Sequence, residues 1–233
     1  MFSGFVYLPG NGYKENTSKE FLNALKDTFG LPVIFIQLLE NKSSSIGYSS
    51  LEPKAYSDYI NKHIPDGKWI LMGISMGCLH IANYAHFYPN KCANVMFMLE
   101  PTIMQGYYPL LREFEAGRGN GEWLDDLHIK PNNLNIPANE KVMDIAVSPP
   151  YDKHPLRFPY NISVGVVYTT RSNTNEKYTN GQLLAKNRYY QLLKKQHKRC
   201  FMLKLNTSHC VDTQPQYFNT LINFISKVIK VSL

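Results

Sequence analysis

One stretch of ten residues, 69–78, constrains the fold more strongly than any other part of this 233-residue chain. Residues 69–72 form a continuous apolar run that predicts a buried strand, and a helical pattern follows over 78–87. Between them stands Gly-Ile-Ser-Met-Gly, with Ser75 at its centre. The two glycines permit a turn so sharp that Ser75 takes a strained backbone conformation and its hydroxyl stands clear of the sheet edge. The pattern predicts a strand–turn–helix unit that presents a nucleophilic serine; the alternative is a plain tight turn with a solvated serine.

The composition is that of an ordinary globular protein and indicates a single domain over 1–233. Hydrophobic residues make up 44% of the chain and charged residues 18%, and the length suits one α/β core. Because no apolar run approaches about 20 residues, we expect no membrane span. The net charge of +7 has one dense cluster, at 194–199, where cations at the end of a helical pattern complement the helix dipole. We therefore expect no nucleic-acid partner.

The cysteines and the first residues of the chain bear on its compartment. Four scattered cysteines are too few for a disulfide framework or a metal site, which favours free thiols in a reducing compartment. Residues 1–8 lack a basic segment and a cleavage site, so they predict a first strand rather than a signal peptide. A glycan on the sequon at 206–208 would obstruct the histidine that follows it. We therefore expect a cytoplasmic protein without a metal.

Strands alternate with helices along most of the chain. Apolar runs predict six strands, at 5–8, 33–36, 69–72, 95–99, 162–168 and 201–205. Patterns of helical period predict helices over 18–29, 56–63, 78–87, 183–196 and 215–229, the first of them capped by Thr17 or Ser18. This alternation is typical of right-handed βαβ units and predicts a parallel sheet with helices on both faces.

Residues 102–160 interrupt this alternation. They are rich in Pro, Gly and Asn and carry the aromatic residues Tyr107, Tyr108, Phe114 and Trp123. The segment follows the fourth predicted strand, and ligands of open α/β sheets bind beyond the carboxyl ends of the strands. We expect a lid-like insertion in which Tyr107, Tyr108 and Trp123 contact substrate; the alternative is a long surface excursion.

A serine hydroxyl needs a base to accept its proton, and His209 is the best-placed histidine. It follows the last predicted strand and precedes the last helix, so we expect it at the same edge of the sheet as Ser75. The other histidines fall in helices or in the insertion, where we expect structural or solvated roles. The alternative for His209 is a capping or hydrogen-bonded loop histidine.

The Gly-x-Ser-x-Gly turn, the histidine loop at 206–209 and the Leu-Pro-Gly-Asn-Gly loop at 8–12 together resemble those of α/β-hydrolases. The resemblance covers nearly the whole chain. It implies a compact α/β-hydrolase fold, with a mostly parallel six-stranded sheet in the order 2-1-3-4-5-6 and without the family's opening antiparallel strands. It also implies an oxyanion hole made by the backbone N–H groups of Asn11 and Met76, although Pro9 stands where the family commonly has histidine.

The acid that would orient His209 is the point at which the sequence departs from the family. The family's commonest position, the loop after the fifth strand, lacks an aspartate and offers Glu176 a few residues late. The other family position, after the fourth strand, holds Glu100, which is our first choice. Asp212, an uncharged group such as Asn173, or no acid at all are the alternatives that the sequence leaves open.

The leading hypothesis from the sequence is a serine hydrolase that resembles esterases, lipases and thioesterases. It would cleave a small-molecule carboxylic ester or thioester through an acyl-enzyme and would need no cofactor. Ser75 would attack, and His209 would accept the proton and pass it to the leaving group. The alternative is a hydrolase-fold ligand receptor or scaffold with an incomplete triad, because the acid is uncertain.

Overall fold

The computed structural model describes residues 2–10, 13–38, 53–101, 161–172, 176–197 and 199–232. Its strands are β1 Gly4–Leu8, β2 Val33–Phe35, β3 Trp69–Ile74, β4 Cys92–Leu99, β5 Ser163–Thr169 and β6 Cys200–Leu205. Its helices are α1 Lys19–Phe29, α2 Pro53–His63, α3 Met76–Phe87, α4 Asn180–Gln196 and α5 Phe218–Ser232. The insertion expected over 102–160 lies outside the described residues.

The six described strands form one sheet in the order β2-β1-β3-β4-β5-β6, and every neighbouring pair is parallel. The predicted strand order is therefore confirmed. Because parallel strands share a direction, their carboxyl ends meet at one edge of the sheet. The residues that follow β3, β4 and β6 are Ser75, Glu100 and the loop of His209, so the topology brings all three to that edge.

Helices cover both faces of the sheet. Alternate side chains of β1 enter two separate apolar layers: Phe5 and Tyr7 belong to the layer of α1 and α5, and Val6 and Leu8 to the layer of α2, α3 and α4. Burial on both faces explains why the strands are continuous apolar runs rather than alternating ones. At the end of α1, Gly30 takes a left-handed conformation (φ 62°), and its N–H donates to the carbonyl oxygen of Lys26.

Several element boundaries differ from those predicted. β4 begins at Cys92 rather than 95, and α3 begins at Met76, because the turn after β3 is made by Ser75 alone. The helix predicted over 215–229 is a short 3-10 turn followed by α5. Ser18 occupies the predicted N-cap position of α1, but its hydroxyl donates to the carboxylate of Asp212 instead of capping the helix.

Two further observations concern membranes and metals. Within the described residues, no helix combines the length and apolarity needed to cross a membrane. No group of three or more histidine, cysteine, aspartate or glutamate side chains is placed to hold a metal ion in that same part of the chain. The four cysteines, Cys78, Cys92, Cys200 and Cys210, are free thiols.

Candidate active site

Ser75 lies at the turn between β3 and α3 in a conformation that residues other than glycine rarely adopt (φ 52°, ψ −118°). Flanking glycines make this turn possible. A Cβ at Gly73 would lie 2.5 Å from the carbonyl carbon of Gly77, and a Cβ at Gly77 would lie 2.2 Å from the carbonyl oxygen of Leu8. The N–H of Ser75 donates to the carbonyl oxygen of Leu99 at the end of β4 (3.0 Å). The predicted strand–turn–helix unit is confirmed.

The loop after β1 runs directly beside the serine. A Cβ at Gly10 would lie 3.4 Å from the Cβ of Ser75, so backbone forms one wall of the site. Met76 is the first residue of α3 and is buried, and the N–H groups in the first turn of a helix have no partner within the helix. Asn11, the other predicted oxyanion donor, lies outside the described residues.

Glu100 follows β4 and, like Ser75, has a positive φ. Among the residues other than glycine that the structure describes, Ser75 and Glu100 are the two with positive φ. The φ of Glu100 is 48°. Its N–H donates to the carbonyl oxygen of Val167 in β5 (2.6 Å), and the residue is 2% exposed. Such strain costs roughly 1–3 kcal/mol per residue and is concentrated at functional sites. The strained residues therefore mark the carboxyl ends of two neighbouring strands.

Both oxygens of the Glu100 carboxylate have donors. Oε1 accepts from Nζ of Lys186 on α4, and Oε2 accepts from the backbone N–H of Thr169 at the end of β5. Burial acts to raise the pKa of Glu100, but the neighbouring Lys186 and His209 hold it below the ordinary value of 4.5. Glu100 is therefore an ionised carboxylate at neutral pH.

His209 approaches the same carboxylate from the loop after β6. Its Nδ1 lies 3.6 Å from Oε1 of Glu100, an ion-pair distance longer than a hydrogen bond. The backbone N–H of His209 donates to the carbonyl oxygen of Ser172 after β5 (3.3 Å), and the side chain is 23% exposed. The ring thus faces a buried acid on one side and stays accessible in part.

Asp212 is directed at other partners. Although it stands three residues after His209, it is fully buried, and its Oδ2 accepts from the hydroxyl groups of Tyr7 (2.5 Å) and Ser18 (2.6 Å). Desolvation raises the pKa of Asp212, and the two hydroxyls and His209 act in the opposite direction. This carboxylate joins the loop after β6 to β1 and to the residue that precedes α1.

Of the remaining predicted residues, one is exposed and the others lie outside the part of the chain that the structure describes. Glu176 is exposed, and its backbone carbonyl oxygen accepts from the N–H of Ser172 (2.8 Å). Asn173 lies outside the described residues, as do the aromatic residues expected to contact substrate, Tyr107, Tyr108 and Trp123. Of the three acids considered, Glu100 is the one whose carboxylate contacts His209.

Sequence reasoning missed Lys186, which shares Oε1 of Glu100 with His209. The helical pattern of the sequence could have pointed to Lys186 as a buried residue. Lys186 lies on one stripe of α4 with the buried residues Tyr189 and Tyr190, at the spacing that places side chains on one face. A charged residue at a stripe position must find a partner inside the protein, because an unpaired buried charge is strongly unfavourable.

Comparison with protein families gives one match that covers part of the chain. Residues 9–109 match the family model described as the alpha/beta hydrolase fold. This range includes the loop after β1, the elbow around Ser75 and Glu100. No curated protein matches the sequence.

Solved structures match nearly the whole chain at low identity. The thioesterase domain from the curacin biosynthetic pathway is 14% identical, with a TM-score of 0.62 over 97% of this chain and 91% of that one. A carboxylesterase structure from Nitrososphaera gargenis is 16% identical, with a TM-score of 0.62 over 98% and 92%. An epoxide hydrolase from Bacillus megaterium is 12% identical, with a TM-score of 0.60 over 97% and 95%. At these identities the likeness shows a shared fold.

Proposed function

We propose, on the premise that this chain has the α/β-hydrolase fold, that it is a serine hydrolase acting on a carboxylic ester or thioester. A fold does not by itself fix a reaction, so the proposal depends on the side chains at the edge of the sheet. The observation that carries it is the contact between buried, ionised Glu100 and His209 at the edge where Ser75 occupies its strained turn.

In the proposed reaction Ser75 attacks the acyl carbon, and His209 accepts the serine proton and then donates it to the leaving group. Glu100 meets the Nδ1 side of the ring, which directs the other ring nitrogen away from the acid. An ionised carboxylate in this position orients the ring and stabilises the imidazolium that forms. Water activated by His209 then releases the acyl group.

The proposed oxyanion hole consists of the backbone N–H groups of Met76 and Asn11. Met76 opens α3, so the positive end of the helix dipole lies beside Ser75. The close approach of Gly10 to Ser75 supports the contribution of the following residue, Asn11. Loss of one such donor typically costs about 3 kcal/mol of transition-state stabilisation. We further propose that Tyr107, Tyr108 and Trp123 contact an apolar acyl or aryl group of the substrate.

The test is hydrolysis of p-nitrophenyl acetate and of a short acyl thioester by wild type and Ser75→Ala. We expect the substitution to lower turnover by roughly 10⁴-fold or more while the circular dichroism spectrum stays the same. Ser232→Ala, at the end of α5, is the matched control and should keep wild-type turnover. Equal turnover in wild type and Ser75→Ala would refute the proposal. A folded wild type without turnover on either substrate would also refute the proposal and would favour the ligand-receptor alternative.

A further inference from the structure

Lys186 is a buried ionisable residue to which the proposed mechanism gives no role. It is 4% exposed, and its Nζ donates to Oε1 of Glu100 and to the carbonyl oxygen of Thr169 (3.2 Å). The same Nζ lies 4.4 Å from the centre of the Tyr178 ring. A buried lysine needs such partners to keep its charge. The surroundings of Lys186 are therefore suited to an ammonium ion.

The ammonium group and the histidine ring meet the same carboxylate oxygen. Nδ1 of His209 lies 3.6 Å from Oε1 of Glu100, and the backbone N–H of Thr169 donates to Oε2. Groups from α4, β5 and the loop after β6 thus fix one carboxylate. Burial alone would favour the protonated form of Glu100. A protonated, neutral acid cannot stabilise an imidazolium, so the charge of Lys186 bears on the base.

Other titratable groups surround this cluster. Those that face Glu100, Lys186 or His209 from the neighbouring elements are Cys78 of α3, Tyr178, Tyr190 of α4, Cys210 and Asp212. Burial raises the pKa of Cys78, Tyr190 and Cys210, so these groups are neutral near pH 7. Within the described part of the chain, Lys186 is therefore the lysine side chain that contacts the Glu100 carboxylate directly.

We propose that Lys186 is a positioning residue: it keeps Glu100 ionised and fixed beside His209, and so sets the pH below which the active site fails. The inference rests on the proposed function, because it assigns Lys186 a task within that mechanism. No bond is made or broken at Lys186. Its contribution is electrostatic, and it acts through the carboxylate.

The direct test is the pH profile of kcat/KM for Lys186→Met. Without the cation, Glu100 takes up a proton at higher pH, so we expect the acidic limb of the profile to move up by about one pH unit. We also expect kcat at the optimum to fall by about 10-fold or more, with little change in KM. Lys186→Arg keeps a cation and should hold the limb near its wild-type position. Lys195→Met, on the exposed face of the same helix, is the matched control.

A double-mutant comparison covers the case in which Lys186→Met does not fold. Glu100→Gln leaves a buried ammonium without its counter-ion, whereas Glu100→Gln/Lys186→Met removes both charges. If Lys186 acts through Glu100, the two variants should have the same kcat within about 3-fold. A further drop of about 10-fold in the double variant would show that Lys186 acts independently of Glu100 and would overturn the inference.

The order of the measurements keeps the two proposals apart. Wild-type hydrolysis and its loss in Ser75→Ala are measured first, and their absence would refute the proposed function. If both are present, an acidic limb that does not move in folded Lys186→Met overturns the inference about Lys186 alone. A limb that moves in Lys186→Met and stays in place in Lys195→Met supports it.

Discussion

Replacement of Glu100 by glutamine separates the structural and catalytic contributions of this side chain. Its oxygens accept from Lys186 and from the N–H of Thr169, and Oε1 also lies 3.6 Å from the ring of His209. Glutamine has the same shape but carries one oxygen and one amino group. In either orientation, the new NH2 group faces a hydrogen-bond donor, either Nζ of Lys186 or the N–H of Thr169. The buried ammonium group of Lys186 also loses its counter-ion.

The expected effects on stability and rate follow from this geometry. Removal of one partner of a buried ion pair typically costs about 3–5 kcal/mol, so Glu100→Gln should unfold at clearly lower urea concentration at pH 7. Loss of the orienting carboxylate in a serine triad lowers turnover by up to ~10⁴-fold. Because the contact with His209 is longer than a hydrogen bond, we expect a loss of ~100-fold or more, with little change in KM.

The assay pairs urea denaturation with p-nitrophenyl acetate hydrolysis on the same preparations. Glu100→Gln/Lys186→Met removes the stranded cation and should regain about 2 kcal/mol or more, while turnover stays low. The controls are Glu176→Gln and Asp212→Asn. Glu176 is exposed, and the Asp212 carboxylate accepts hydrogen bonds from the hydroxyl groups of Tyr7 and Ser18. Both should keep turnover within about 10-fold of wild type.

Two results would refute this reasoning. If turnover recovered together with stability in the double variant, the role of Glu100 would be structural. If Glu100→Gln kept its activity while Glu176→Gln or Asp212→Asn lost it, the acid would be that other residue.

Three further predictions concern the elbow, the pH dependence of stability and the thiols. Gly77→Ala should lower the free energy of unfolding by about 2 kcal/mol or more and abolish hydrolysis, because the new Cβ would lie 2.2 Å from the carbonyl oxygen of Leu8. The control is Gly181→Ala, which should be tolerated because the nearest atom to its new Cβ lies 3.9 Å away. Burial lowers the pKa of His197 from 6.5 to about 4. The neutral ring therefore contributes fully to the free energy of unfolding above pH 6.5, and this contribution is lost as the pH falls towards 4. Between pH 7 and pH 4.5, urea titrations of wild type should show a loss of about 2–3 kcal/mol that His197→Leu does not show. Burial raises the pKa of Cys92 to about 12, so iodoacetamide at pH 8 should modify it in urea but not in the native protein.

The architecture follows from local patterns in the sequence. Apolar runs alternating with amphipathic helices fix a parallel sheet with both faces covered, and the strand order from the family resemblance agrees with the structure. The glycines around Ser75 predict a sharp turn because only a missing side chain allows such close backbone contacts. Short-range signals of this kind suffice wherever the fold repeats one βαβ unit.

The acid and its partners depend on contacts between distant parts of the chain. Glu100 meets Lys186, which lies 86 residues later, and Ser18 meets Asp212 across 194 residues. Glu100 has a positive φ although glutamate, unlike glycine or asparagine, is not a residue that predicts one. The resemblance to α/β-hydrolases therefore placed Glu100 first among the acids, through the family's acid position after the fourth strand, and sequence reasoning missed the lysine that contacts it.

The most direct test of the central claim is covalent labelling with a fluorophosphonate, followed by peptide mass spectrometry. A serine activated by His209 and Glu100 reacts with this probe through its hydroxyl oxygen, whereas a solvated serine does not react at a comparable rate. We expect one label per chain, carried by the peptide that contains Ser75, with labelling strongly slowed in His209→Ala. Absence of labelling on a folded protein, or labelling that persists unchanged in His209→Ala, would contradict the serine-hydrolase mechanism.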